Sequence, residues 1–307
     1  MRTLFVIIAF ALLSLNVQAA KPGVPIQDKI SDKAVAAPSN IAVIDTGFNV
    51  IIDGKSINLC KAQNARVSYF NCINKVIYIV LDSNSAEPGW IIRTFYSVDS
   101  KTKNKLQLAT LQIPKPDNKK SDHLVDITSG KPVNIYPGGV LPSVTWPGLI
   151  SCFMFENGAT AFDYLYGNIV FVTAEKGMIV YDRASHKIRK IGIKDAANNK
   201  YASPYFSSDA NRVAYVHSRN FSSTNPSTDI IFYDLAVQKY VKRIQTFDVL
   251  QTQLSTDNKK TLTVYCRHMN ARSTATVKDY IWRIDIVDLD KVESERTIEG
   301  ISACWIK

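Results

Sequence analysis

A short apolar run that ends in aspartate and gives way to a polar turn recurs along this 307-residue chain, and no other feature restricts its folds as sharply. The copies are Ala42-Val43-Ile44-Asp45, Tyr96-Ser97-Val98-Asp99, Ile179-Val180-Tyr181-Asp182, Ile231-Phe232-Tyr233-Asp234 and Asp285-Ile286-Val287-Asp288. Successive aspartates lie 54, 83, 52 and 54 positions apart, and Leu124-Val125-Asp126 is a further candidate that splits the long interval. The last three copies each follow another β-rich run, Asn168 to Val172, Arg212 to Val216 and Thr261 to Tyr265. Four short strands per roughly 50 residues make the blade of a β-propeller. A sandwich repeats turn signals but not whole blocks. The expected fold is therefore all-β, a single propeller of five to six four-stranded blades, the sixth existing only if the Asp126 segment forms its own. The final residues, Ile301 to Trp305, read as the opening strand of a further repeat, and pairing it with Ile41 to Ile44 would close the ring and remove an exposed sheet edge.

The ends of the chain divide it into three parts. Arg2 precedes an apolar run from Leu4 to Leu15, and Val17-Gln18-Ala19 supplies a small-residue cleavage signal, so residues 1–19 read as a signal peptide. About 12 apolar residues fall short of the roughly 20 that span a bilayer. With its first cysteine at Cys60, the chain lacks a lipoprotein anchor site after that run. Residues 20–39, with Pro22, Pro25 and Pro38, form a polar linker, and 40–307 the propeller. Asp195 to Tyr201 and Ser294 to Glu299 are the only helix-like fragments, which disfavours a parallel α/β fold. The mature protein is expected in the periplasm or outside the cell, with no membrane span.

Composition supports a packed core, since 46% of residues are hydrophobic and 21% charged. The net charge of +10 becomes +9 once Arg2 leaves with the signal, which favours anionic partners such as cell-wall polymers or acidic glycans. Nucleic-acid binding would concentrate Lys and Arg with aromatics on one element, and here they are dispersed. The densest cluster, Lys115 to Lys120 beside Pro114 and Pro116, reads as a solvated loop.

The stretch Ala202-Ser203-Pro204-Tyr205-Phe206-Ser207-Ser208-Asp209-Ala210-Asn211-Arg212, with Ile231-Phe232-Tyr233-Asp234-Leu235 beyond it, resembles the WD40-like repeat of TolB-type propellers. In that family a Ser-Pro leads the first strand and a Pro-Asp-Gly turn follows; here Ser208 and Ala210 replace the proline and glycine. The block from Gln251 to Leu289 matches more loosely. The resemblance implies a propeller and an export route. TolB proteins also carry an α/β domain ahead of the propeller, for which residues 20–39 leave no room.

Five cysteines follow the leader: Cys60, Cys72, Cys152, Cys266 and Cys304. In an oxidising compartment Cys60 and Cys72 are the most local candidates for a disulfide. Cys152 and Cys266 lie in strand-like runs and read as small core residues. A search for catalytic signatures finds no Gly-x-Ser-x-Gly elbow, His-Glu-x-x-His motif or phosphate-binding glycine loop. His123 and His186 read as surface loop residues, whereas His217 and His268 each follow the second strand of a repeat, 51 positions apart. They are the candidate acid–base or metal pair, against the simpler reading that repeats reuse a surface residue. Asp182, Asp234 and Asp288 read as turn-fixing residues. Trp90 and Trp146 lie beside Pro-Gly turns and are candidate exposed binding aromatics. No cofactor site is expected. The sequence thus favours an exported, non-enzymatic propeller that binds a protein or an anionic envelope ligand, with polar inserts at 100–123 and 218–228 as contact regions. The alternative is a propeller lyase or hydrolase acting on an anionic glycan or peptide at the channel mouth.

Overall fold

A computed structural model of the chain describes residues 36–60, 65–114, 124–126, 131–133, 159–165, 168–173, 177–182, 185, 187–191, 199–219, 227–246, 248–268 and 280–307. Every regular element among them is a β-strand, and none forms a helix long and apolar enough to cross a membrane. The first sheet contains β1 (Ile41–Ile44), β2 (Asn49–Ile52) and β3 (Lys55–Asn58). The second runs β4 (Ala65–Ile73), β5 (Val76–Asn84), β6 (Trp90–Asp99), β7 (Lys105–Pro114), β8 (Leu124–Asp126) and β9 (Lys131–Val133) in that order. The third holds β10 (Ala159–Leu165), β11 (Asn168–Thr173), β12 (Gly177–Asp182) and β13 (Lys187–Lys190). The fourth holds β14 (Asn199–Phe206), β15 (Arg212–Arg219), β16 (Ser227–Asp234) and β17 (Lys239–Thr246). The fifth holds β18 (Val249–Leu254), β19 (Lys260–His268), β20 (Tyr280–Asp288) and β21 (Glu293–Ile298). The last strand, β22 (Ser302–Trp305), returns to the first sheet and pairs antiparallel with β1, Ile41 opposite Trp305 and Ile44 opposite Ser302.

The fold is a β-propeller: three sheets are four-stranded meanders, the first is a three-stranded meander completed by β22, and the second is a meander with two added strands. The segment around Asp126 is accordingly not a separate blade, because β8 pairs with the outer part of β7 at Leu111 and Gln112. Neither helix-like fragment is helical in its described residues; 199–201 open β14 and 294–298 belong to β21, where paired backbone outweighs weak local propensity.

Inner strands such as β1, β16 and β22 are covered on both faces, which explains why the sequence shows continuous apolar runs there instead of strict alternation. Along β16, Ile231 and Tyr233 pack with Val180, Val172 and Met178 of the third sheet, while Ile230 and Phe232 pack with Leu254 and Tyr265 of the fifth. Along β1, Ile41 and Val43 join Leu262, Val264 and Ile284, whereas Ala42 and Ile44 join Phe70, Ile77 and Ile79. Each such side chain, fully buried, contributes about 1.5–3 kcal/mol.

The aspartate turns close the third and fourth strands of their sheets. Asp99 Oδ1 accepts the Lys101 and Thr102 amides at 2.9 and 2.7 Å, Asp234 those of Ala236 and Val237, and Asp288 those of Asp290 and Lys291. Asp182 does the same for Ser185. Asp45 does not belong to this set. Because β22 is the first strand of its sheet, Asp45 follows the second strand and lies at the opposite end of the blade; Asp53, in the β2–β3 turn, takes the equivalent place and pairs with Lys103 at 2.8 Å.

Candidate functional site

The first strands of the five sheets, β22, β4, β10, β14 and β18, are linked by buried polar side chains. Asp163 of β10 accepts the Tyr69 hydroxyl at 2.7 Å, the Asn71 amide at 3.0 Å and the Phe206 backbone N–H at 2.7 Å, so a single carboxylate joins β4, β10 and β14. Gln253 of β18 donates to the Phe70 carbonyl of β4 at 2.6 Å, while its own carbonyl accepts Trp305 Nε1 of β22. Gln251 donates to the Ala303 carbonyl and accepts the Ser302 hydroxyl. Burial pushes the Asp163 carboxyl up, and the Phe206 N–H, Tyr69 and Asn71 only partly offset it. Burial likewise raises Tyr69 and Tyr205, with the Asp163 charge adding to both.

At the blade ends opposite the aspartate turns, charged groups pair across neighbouring strands. Asp82 and Arg93 stand directly opposite in β5 and β6 and form a two-point pair at 2.6 and 2.7 Å, with Ser68 donating to the same carboxylate. Burial alone would raise Asp82, but the Arg93 guanidinium and the hydrogen bonds hold it below the usual carboxylate range. In the fifth sheet Arg283 lies 3.3 Å from Asp285 and covers the Tyr265 ring at 4.5 Å. Burial is the main reason that the Tyr265 hydroxyl is pushed up to about 12.

His217 belongs to this same end. Its ring stacks on Tyr201 at 4.7 Å between centroids, and Nδ1 lies 4.0 Å from the fully buried carboxylate of Asp229, its cross-strand neighbour. Arg243 Nη2 approaches that carboxylate to 2.9 Å. His217 and His268 do not hold equivalent places. Arg212 opposite Asp234 matches Lys260 opposite Asp288, so the strand register differs by 48 positions and the counterpart of His217 is Tyr265. His268 ends β19 opposite Tyr280, three residues further along.

Cys60 and Cys72 are free thiols in the structure. Cys72 is buried in β4 within the core cluster that also holds Cys304, and Cys60 packs half-buried against that cluster. Trp90 is half-buried at the start of β6, its backbone carbonyl accepting the Ser85 amide, and so sits in a strand rather than on a loop. Trp146, His123, His186, Cys152, the 115–120 lysine cluster and the cores of both polar inserts lie outside the described residues. Among the described residues no group of three His, Cys, Asp or Glu side chains is placed to hold a metal ion.

A cleft of about 600 Å³ opens between the first and fifth sheets, lined by Ile41, Trp305 and Ile286 and by the Lys260–Glu295 pair at 2.6 Å. No sequence motif marks this cleft or the network between the first strands, whose members lie on different sheets.

The fold and these groups define a β-propeller in which the first strands of the sheets are tied together by buried hydrogen bonds. No family model and no curated protein matches the chain. Among solved structures it resembles hydrazine synthase from Kuenenia stuttgartiensis, at 13% identity and a TM-score of 0.35, covering 78% of this chain and 66% of that one. It also resembles the β-propeller domain of the trilobed protease from Pyrococcus furiosus (12%, TM-score 0.28, 74% and 55%) and a chain of the mitotic checkpoint complex (11%, 0.39, 94% and 90%). The chain thus spans less than two thirds of the first two proteins. At these identities and scores the likenesses assign no activity.

Proposed function

We propose that this protein is an exported, non-catalytic β-propeller that binds a protein or an anionic ligand of the cell envelope. In this reading residues 1–19 are a cleaved leader, 20–39 a linker, and 40–307 form a ring of five blades closed where β22 joins β1. The observation that carries it is the hydrogen bond from Gln253 to the Phe70 carbonyl, with Asp163 beside it bridging three further strands. Propeller enzymes hold catalytic groups around a central channel; among the described residues the polar side chains Asp163, Tyr69, Asn71, Gln251 and Gln253 of the first strands are hydrogen-bonded across neighbouring sheets. Recognition then falls to loops and outer strands on a rigid frame, and the net charge of +10 favours anionic partners.

The test is expression of the full chain with its own leader, followed by fractionation and N-terminal sequencing, then titration of the purified mature protein with polyglutamate and with heparin at 50 and 200 mM salt. Export with a mature start at Ala20, binding that weakens with salt, and a glycan of unchanged chain length support the reading. Retention in the cytoplasm, shortening of the glycan, or no binding to either polymer overturns it.

A further inference from the structure

The outer strands of the third and fourth sheets carry three cations each, against one in each of β3, β9 and β21. Residues 187–191 and 235–246 contain Lys187, Arg189, Lys190, Lys239, Lys242 and Arg243 and no aspartate or glutamate, whereas β21 alone carries Glu293 and Glu295. The two basic strands meet: Arg189 Nη1 donates to the Leu235 carbonyl, at the turn that leads into β17. Among the described residues no carboxylate forms an ion pair with Lys187, Lys190, Lys239 or Lys242.

On β17 and the turn before it stand three exposed apolar side chains, Val237 at 62%, Tyr240 at 57% and Val241 at 50%. Tyr240 is held in place, its ring set edge-on against buried Tyr233 at 5.5 Å between centroids. A tyrosine fixed by its own protein loses little rotamer freedom when a partner covers it, which is the property of an interface anchor. The strand register turns Tyr240 to the face of Tyr233 and Lys239 and Lys242 to the face of Asp234 and Phe232, so apolar and cationic side chains flank the same exposed outer strand. Two of the three exposed apolar residues are aliphatic, which suits a partner's apolar side chain better than a sugar ring.

We infer that the outer edge of β17, with Tyr240 on one face and Lys239 and Lys242 on the other, docks an extended acidic protein segment that carries apolar residues among its carboxylates. The inference rests on the binding reading above and adds to it the kind of partner and the place. The carboxylates pair with these lysines and steer the encounter, while the apolar residues cover Tyr240 and the valines.

The experiment is fluorescence anisotropy of the mature chain with a labelled 12-residue peptide of alternating Glu and Leu, with heparin as competitor. The variants are Tyr240→Ala, Lys239→Glu/Lys242→Glu, and Lys55→Glu/Lys291→Glu at exposed positions of the first and fifth sheets as a charge-matched control. Tyr240→Ala and the β17 charge reversal each weaken peptide binding by about tenfold or more, and the control leaves it within about twofold. Circular dichroism checks that each variant is folded, and Tyr240→Phe, which keeps the ring, retains binding should the alanine variant unfold. If peptide binds but both β17 variants and the control behave alike, the binding reading stands and this surface is wrong. If heparin binds as tightly and responds to the same substitutions, the surface is a general polyanion site and the inference falls. No binding of peptide or heparin removes the inference together with the reading it rests on.

Discussion

The Tyr69 hydroxyl and the Asp163 carboxylate, 94 positions apart in the chain, meet at 2.7 Å in the buried centre where β4 and β10 face each other. Asp163 also accepts from Asn71 and from the Phe206 amide, so its removal strands three donors at once. Asp163→Ala is expected to lower stability to urea by about 3–5 kcal/mol, and Tyr69→Phe by about 1–2 kcal/mol. The double variant should lose less than the sum, since the two residues share a bond. Strict additivity in equilibrium unfolding would show that they do not act on each other.

The Asp82–Arg93 pair makes a prediction about acid. Arg93 is 6% and Asp82 14% exposed in their side chains. The folded Asp82 carboxyl lies below its usual range, so the unfolded chain takes up a proton first as pH falls. Its contribution is complete above the unfolded value of about 3.9 and is lost as pH falls through the folded one. Arg93→Met leaves a buried carboxylate without its cation, costing about 3–5 kcal/mol at pH 7. The deficit should shrink by pH 3, when that carboxyl is protonated; a difference that stays constant from pH 7 to 3 would refute the assignment.

Ala210 occupies the left-handed region at φ 56°, in the turn between β14 and β15 where Asp209 accepts the Asn211 amide. A Cβ in that region costs about 1 kcal/mol. Ala210→Gly is therefore expected to raise stability by a few tenths to about 1 kcal/mol, the extra entropy that glycine gives the unfolded chain limiting the gain. A lowered melting temperature would show that the turn is not strained.

Gly300 joins β21 to β22 with φ 155° and no room for a side chain. A Cβ there would collide with Val43, approach Ile284 Cδ1 to 2.8 Å and lie 2.9 Å from the Ile44 carbonyl oxygen, on the strand with which β22 pairs. Gly300→Ala should cost about 1–3 kcal/mol and increase amide exchange in β22 and β1 ahead of β15 and β16. Uniform exchange across all sheets would separate the glycine from the terminal pairing.

Burial pushes Cys266 up to about 11 and raises Cys72 and Cys304 as well. Thiolates are the reactive form, so these three should resist iodoacetamide at pH 8 until the chain is unfolded. Peptide mapping without reductant checks the same residues and should find Cys60 and Cys72 unjoined; fast native labelling of Cys304 would contradict its place in the core.

Much of the blade was written locally. The aspartates at 99, 182, 234 and 288 fix turns within three residues of themselves, and the runs at 168–172, 212–216 and 261–265 are second strands because β-branched and aromatic residues pack on a pleated surface. Even the terminal strand could be matched to β1 from its apolar run. Local pattern also misled: Asp45 has the same apolar lead and the same amide-accepting turn as the others, yet it follows the second strand of its sheet because the first strand comes from the far end of the chain. The 51-residue interval between His217 and His268 looked like a repeat, but loop length changes residue numbers without changing register.

What the sequence by itself determined is the strand and turn code, an apolar core sufficient for packed sheets, and the excess of positive charge, all of which depend on neighbours within a few positions. What only the tertiary structure decided is which polar groups lose water together: Tyr69 with Asp163, Gln253 with Phe70, Asp82 with Arg93, and the basic strands β13 and β17 at one border. The physical reason is that desolvation and charge pairing depend on distance in space, and no spacing in the chain encodes which side chains of adjoining sheets meet.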